Sequence, residues 1–281
     1  MTPRGEEGYA LVAAVASIAV FATIALAVLS ATRMGIEDAG AEQARMQAVA
    51  AADAGVAFAL SRLLADDASQ RWAADGRIRS MRFAGAGLRI ALRDERGKVP
   101  LGLLDEPQAT TLLERAGLEG ERLLIARDSL LDWIDDDTIK RPFGAEESYY
   151  RSVGLFPADG RFASIDELAL VRGLDADTVA RIRPYVTTWT LRSGFDAQYA
   201  DPRALAVMDT GGEGGPAAIE RARELAGQTT ALSFASAPTL VDRPISIEAV
   251  ASLPGGGRAV RTLVVELTGV ADRPYVVRAY E

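Results

Sequence analysis

The chain contains no cysteine and no histidine. Their absence removes disulfides, thiol nucleophiles, Cys/His zinc sites and any mechanism with an imidazole base. An enzyme built from this sequence would be left with carboxylates, hydroxyls, lysine or a hard metal ion. Lysine is scarce too, since Lys98 and Lys140 are the only two among 31 basic residues. Against these stand 39 Asp and Glu, a formal net charge of −8. A field of that sign repels nucleic acid phosphates rather than gathering them. Apolar residues make up 49% of the 281, enough for a core in one large domain or two smaller ones.

Those apolar residues are unevenly spread. From Tyr9 to Thr32 the chain runs 24 residues without a charge. As a helix this run spans roughly 36 Å, more than the roughly 30 Å of a bilayer's hydrocarbon core. It is apolar on every face, so it belongs in lipid or in a bundle of like helices. A secretory signal would be shorter and would end in a small-x-small cleavage site. The run therefore predicts a single transmembrane helix over 9–32. Met46, Val49, Ala50, Asp53, Val56, Leu60, Leu63 and Leu64 continue a helical period, which carries the helix to about residue 65. Gly35, Gly40 and Gly55 weaken it locally, by about 1 kcal/mol each against Ala.

Beyond this helix the texture changes twice. Met81 and Phe83, then Leu88, Ile90 and Leu92, alternate with a change of parity across Gly85–Gly87, which predicts two short strands and a turn or bulge. At the other end Ile245, Ile247 and Ala249 alternate, Pro254–Gly257 turns, and Leu263, Val265, Leu267 and then Tyr275, Val277, Ala279 alternate again. That pattern predicts an antiparallel meander. Between them, 107–190 reads as helical with no convincing strand. Helices over 107–116 and 119–134 flank Gly117-Leu118, and helices over 165–171 and 175–182 flank Gly173-Leu174. Each pair is helix–hairpin–helix-like, with glycine supplying the positive φ of the joint. Ser164 and Glu167 predict a capping box, and Pro184 ends the last helix. Such units can hold DNA backbones, but Asp175 and Asp177 stand where a phosphate needs free amides and basic side chains. A structural or protein-binding module is the better reading. The stretch Gly211–Pro216 reads as a loop.

Asp132, Asp135, Asp136, Asp137, Glu146 and Glu147 crowd into 16 residues with only Lys140 and Arg141 against them. Hard oxygen ligands at this density suit calcium, which takes six to eight of them. Asp135, Asp137 and Glu146 have the spacing of positions 1, 3 and 12 of an EF-hand loop, but Ile139 and Lys140 at positions 5 and 6 exclude that motif. The bland alternative is a solvated acidic helix end. Ser, Thr and Lys98 occur without a nucleophile motif, and nothing places two carboxylates across a cleft, so no enzymatic activity is expected.

The leader Met1–Gly8, followed at once by Tyr9-Ala-Leu-Val and the long apolar helix, resembles a type IV pilin or pseudopilin precursor. The resemblance implies cleavage by a prepilin peptidase after Gly8 and methylation of the new N-terminus at Tyr9. Pilins usually carry Glu at the fifth mature position, where this chain has Ala13. That departure is typical of the pseudopilin K family of type II secretion systems. In a filament the missing carboxylate would neutralise the buried amine of the next subunit toward the tip, so Ala13 favours a subunit with nothing above it. The blocks Asp94–Val99, Leu131–Asp137, Gly144–Tyr150, Phe162–Leu168, Gly173–Asp175 and Pro184–Thr187 resemble successive blocks of the same family. One departure is Ser193–Gln198, where many relatives are Asn-rich.

The resemblance implies an α+β, pilin-like fold: a long N-terminal helix packed on an antiparallel sheet that is interrupted by a large helical domain. The organisation expected is a leader over 1–8, the N-terminal helix over 9–65, a first part of the β domain over 66–98, the inserted domain over 99–240 and closing strands over 241–281. It further implies calcium in the helical domain, with Asp135, Asp136, Asp137, Glu146 and Glu147 as candidate ligands. The partners implied are the other minor pseudopilins, the major pseudopilin and the prepilin peptidase, with the secretin or secreted cargo as further candidates. No nucleic acid partner is implied. The place implied is the inner membrane, crossed once, with most of the chain in the periplasm. The function implied is a filament tip subunit that initiates or caps a short periplasmic filament during protein secretion. Alternatives are a minor pilin of a type IV pilus, a signal-anchored envelope enzyme or a DNA-uptake factor.

Overall fold

A computed structural model describes residues 6–155, 160–189, 194–208, 221, 224 and 240–281, with backbone only at 6–13, 28 and 31–38. Helix α1 (Glu6–Leu63) leads into β1 (Arg79–Phe83) and β2 (Ala86–Asp94). A two-residue strand β3 (Val99–Pro100) precedes α2 (Glu106–Arg115), α3 (Gly120–Ile134), α4 (Glu147–Ser152) and α5 (Ala176–Ile182). Strand β4 (Val186–Thr187) and α6 (Pro202–Val207) follow, then β5 (Pro244–Ser252), β6 (Arg258–Val270) and β7 (Arg273–Tyr280). The predicted hairpin and meander are both present, and they form one antiparallel sheet in the order β1-β2-β5-β6-β7. Its continuity depends on β2 pairing with β5, from Gly87 opposite Ser252 to Asp94 opposite Ile245.

The period-2 pattern of these strands puts Leu88, Ile90, Leu92, Ile245, Ile247, Ala249, Leu263 and Val265 on one face. That face is covered by the second half of α1 through Ala48, Ala52, Val56, Ala59 and Leu63. The expected face packs at Val56, Leu60, Leu63 and Leu64, but its first turn does not, for Met46 is 59% exposed and Ala50 is exposed. Close approach selects small residues over large ones here. A Cβ on Gly55 would already lie 3.2 Å from Ala249 Cβ, so a glycine that weakens the helix in isolation lets it seat on the sheet. Polar contacts set the register: Asp53 accepts from Arg261 Nε at 2.9 Å and from the Tyr280 hydroxyl at 2.5 Å.

Among the described residues no helix is long and apolar enough to cross a membrane. The predicted span 9–32 lies in α1, with its side chains described at 14–27 and 29–30. Its large apolar side chains are bare, Val15, Ile18, Val20, Phe21, Ile24, Leu26 and Leu29 being 53% to 71% exposed.

The chain between β2 and β5 builds a second core of its own, centred on Leu112, Leu113, Leu130, Trp133, Leu168, Ile182 and Val186. Two details depart from expectation. Val186–Thr187 is a strand after all, pairing parallel with Val99–Pro100. Residues Ile165–Leu170 form a 3-10 helix, and Ser164 makes no side-chain cap there; the Glu167 carboxylate instead accepts from the Ala163 N–H at 3.1 Å. The Gly211–Pro216 stretch lies outside the described residues.

The insert is tied to the sheet by charge. The Asp94 side chain, fully buried, accepts from Arg96 Nε at 3.1 Å and Nη2 at 3.0 Å, with Arg243 Nη1 at 3.6 Å. Arg96 also meets Asp196 at 3.3 Å, and both guanidinium groups lie over the Tyr199 ring. Gly97 sits inside this joint, where a Cβ would stand 2.3 Å from the Tyr199 carbonyl oxygen. Gly97→Ala should therefore cost about 1–3 kcal/mol in urea unfolding, because backbone must move. Gly40→Ala, with nothing within 4 Å, should be neutral or slightly stabilising.

Candidate functional site

The acidic segment is shaped by the helix before it. Helix α2 begins with a complete capping box, Asp105 accepting from the Gln108 N–H at 2.8 Å and the Gln108 side chain accepting from the Asp105 N–H at 3.2 Å. Gly117, at φ 87°, turns the chain into α3. On α3, Asp128 and Asp132 stand four residues apart and are both buried. Each carboxylate collects the loop that follows. Asp128 accepts from the Phe143 N–H at 3.1 Å and pairs with Arg127 at 2.7 Å. Asp132 accepts from Arg141 Nη1 at 2.7 Å and from its backbone N–H at 3.3 Å. A Cβ on Gly144 would come within 1.9 Å of Asp132 Oδ2, so the loop passes too close for any side chain there. Burial pushes the Asp132 carboxyl above its ordinary range, against the opposing pull of Arg141.

This anchoring folds the loop back so that oxygens of Asp135, Asp137 and Glu146 all lie within 4.8 Å of one another. The Asp135 Oδ1 is buried and receives no hydrogen bond, while its Oδ2 pairs with Arg141 Nη1 at 2.5 Å. Three convergent carboxylates and an all-oxygen donor set fit a hard cation such as calcium. The other two candidates stand apart. Asp136 is exposed, and Glu147 pairs with Arg151 at 2.5 Å. Beneath the loop Trp133 stacks on Phe162 and meets the edge of Tyr150. Burial raises the Tyr150 hydroxyl to about 12, so it serves only as a hydrogen-bond partner, accepting from the Arg172 N–H at 3.3 Å.

Sequence reasoning placed Asp132 in the acidic crowd, outside the five candidate ligands, and gave no role to Asp128. Their i,i+4 spacing beside Leu123, Ala126 and Leu130 is the signal that marks them as inward-facing. The processing pair Gly8–Tyr9 lies in the backbone of α1, its side chains outside the described residues.

The second helical pair packs directly on α3. Gly173, at φ 91°, approaches so closely that a Cβ would be 2.9 Å from the Ala126 backbone. Asp175 caps α5, accepting from the Thr178 N–H at 2.8 Å, and pairs with Arg122 at 2.6 Å. The helix start that a phosphate would use is thus filled by the chain's own carboxylate. Hydrogen bonds from Thr178, and then Arg122, hold Asp175 well below the ordinary aspartate value of 3.8. A carboxylate depressed in the folded state contributes stability that is present above the ordinary value and lost as pH falls through the depressed one. Asp175→Ala should therefore melt at a lower temperature than the parent at pH 7. The gap should shrink as the pH is taken below about 3.8 in a pH series of melting curves.

Comparison with known proteins gives a consistent picture. Residues 93–190 match the family described as type II secretion system (T2SS), protein K. Type II secretion system protein K of Klebsiella pneumoniae is 30% identical over 140 residues, 48% of this chain and 42% of that protein. Its counterpart from Aeromonas hydrophila is 39% identical over 80 residues, 27% of this chain and 24% of that protein. The matched part of the chain thus spans less than half the length of either relative. Among solved structures, a chain from the crystal structure of the GspK-GspI-GspJ complex of the enterotoxigenic Escherichia coli type 2 secretion system aligns with a TM-score of 0.53 and 18% identity. The alignment covers 89% of this chain and 98% of that one, a likeness of fold.

Proposed function

We propose, for a chain that belongs to the type II secretion system protein K family, that it is a non-enzymatic minor pseudopilin working at the tip of the secretion pseudopilus. The observation that carries the reading is the likeness of fold over 89% of the chain to a subunit crystallised with two other secretion components. In this role α1 is the assembly element. Its bare apolar half, from Val15 to Leu29, is held in the inner membrane before assembly and packs against neighbouring subunits afterwards. The insert, set on the sheet by the Asp94 joint, supplies the bulk that stops another subunit from stacking above. Ala13 lacks the carboxylate that such a neighbour's amine would need. Other minor pseudopilins are the proposed partners, and the filament initiates or is capped where they meet this subunit.

Mass spectrometry of the N-terminal peptide tests the class. Cells containing the prepilin peptidase should yield a peptide beginning at N-methylated Tyr9, and cells lacking it should not. An intact Met1 or Thr2 end in both would remove the pseudopilin reading. Pull-down from the first strain should recover small pseudopilins of a secretion machine; recovery of pilus components would favour a type IV pilus minor pilin.

Calcium is the proposed structural clamp of the 135–146 loop. Asp135, Asp137 and Glu146 would hold it, leaving Asp132 and Arg141 to support the loop from below. The ion would offset the repulsion among three carboxylates, a task a disulfide cannot perform in a chain without cysteine. Calcium at a hundred times its Kd should stabilise the chain by about 2.7 kcal/mol in thermal unfolding. The gain should vanish with chelator and in the Asp135→Asn/Glu146→Gln double variant. Calorimetry showing no calcium uptake by the parent would remove the clamp.

A further inference from the structure

Charge in this acidic chain is segregated at one corner of the sheet. Residues 76–93, the β1–β2 hairpin and its approach, carry Arg77, Arg79, Arg82, Arg89 and Arg93 and no carboxylate. Residues 249–265 carry Arg258 and Arg261 and again no carboxylate. Four of the seven are committed elsewhere. Arg77 and Arg79 pair with Asp75, Arg93 lies 3.8 Å from Glu248, and Arg261 is bound to Asp53. Arg82, Arg89 and Arg258 are exposed and pair with no carboxylate among the described residues.

The ladder places these three together. Arg82 is opposite Gly87, Gly87 opposite Ser252, and Ser252 opposite Arg258, so one row crosses four strands on the face turned away from α1. Arg89 stands in the next row beside Val250. At about 4.8 Å per strand the two outer arginines are about 14 Å apart, with only a glycine and a serine between them. Val260, 44% exposed, stands on the same face two residues from Arg258, whereas Phe83 alternates to the α1 side of the sheet. Unpaired arginines beside an exposed aliphatic side chain suit contact with an anionic membrane surface.

The corner also faces the right way. It is the end of the sheet where a Cβ on Gly257 would meet the Ala44 carbonyl oxygen at 2.4 Å, and α1 continues from there back toward its apolar half. From Thr32 to Ala44 is roughly 18 Å of helix. A headgroup layer fills about 5–7 Å of that. The field of an anionic surface reaches about 8 Å further at physiological salt, and helix tilt closes the remainder. We infer that Arg82, Arg89 and Arg258 form a docking surface for anionic phospholipid headgroups, which sets the orientation of the folded domain over the membrane before it leaves for the filament. The inference rests on the proposed anchoring of α1.

A chain without cysteine allows a single label to be placed cleanly. Gly255→Cys, in the β5–β6 turn with nothing within 4 Å of its added Cβ, carries a spin label at the corner. The full chain is reconstituted in phosphatidylcholine vesicles with and without 30% phosphatidylglycerol, each containing a lipid with a nickel-chelating headgroup. The label should relax several-fold faster with the anionic lipid, and 0.5 M salt should abolish the difference. Arg82→Gln/Arg89→Gln/Arg258→Gln should abolish it too, with each single change weakening it by about fivefold. Because all three side chains are exposed, single variants keep the test open if the triple one folds poorly. Equal relaxation in the two lipids, or an unchanged response in the variants, overturns the docking surface. Protection of the label by an acidic pseudopilin domain in place of lipid also overturns it. Alkaline extraction separates the two readings: a chain washed from the vesicles overturns the anchor and the docking with it, whereas a retained chain with a lipid-independent label overturns the docking alone.

Discussion

The buried Asp94 carboxylate is the constraint on which the architecture turns. It stands at the last pair of the β2–β5 ladder, where the chain leaves the sheet, and Arg243 reaches it from just before the strand on which the chain returns. A carboxylate with no exposed side-chain surface is costly unless its lone pairs are met, and two guanidinium groups meet them. The same two arginines cover Tyr199, which belongs to the insert, so satisfying the aspartate and docking the insert are one event. The parallel pairing of Val99–Pro100 with Val186–Thr187 ties the start of the insert to a later part of it. The sheet therefore closes as though the insert were absent, and the insert keeps a core of its own.

What was legible beforehand follows from which physical signals survive in one dimension. Period-2 alternation bounded by glycine turns is local, so β1, β2 and the closing meander could be read off directly. The same holds for α2 and α3, whose glycine joint at Gly117 lies between them in sequence. The buried side of α1 could be read this way at Val56, Leu60, Leu63 and Leu64 but not at its start. Hydrophobicity marked Met46 and Ala50 as inward, but the separation of helix and sheet selects alanine and glycine for size. The 3-10 turn at 165–170 and the two-residue pair β3–β4 were missed for a related reason, since each is decided by contacts distant in sequence. The Asp94 joint joins residues 94, 96, 196, 199 and 243, a spacing no window can detect.

The acidic segment shows how one composition conceals several roles. Six carboxylates looked alike in sequence. In the fold Asp132 is a buried anchor with Arg141 as its counter-charge, Glu147 is spent on Arg151, and Asp136 is solvated. Only Asp135, Asp137 and Glu146 converge. The division follows from α3, which ends at Ile134: residues before its end inherit the helix's inward face, and those after it are free to turn. Arg141 touches both sets, so the anchor and the convergent group respond to one guanidinium.

Charge is also ordered along the molecule. The insert, which holds the convergent carboxylates, departs from the Asp94 end of the sheet. The unpaired arginines occupy the opposite end, where the β5–β6 turn meets Ala44. Helix α1 packs along the same direction, with Gly55 against Ala249 midway between. A net charge of −8 would by itself push the folded part away from an anionic surface in any attitude. Separating the two signs along the helix axis converts that uniform repulsion into a torque. Under the inferred docking the basic end is drawn toward the membrane around the apolar half of α1, and the acidic insert is driven outward. On the proposed anchoring of α1, an axial arrangement of charge would orient the domain through the same helix that tethers it, before any contact between side chains and a partner is made.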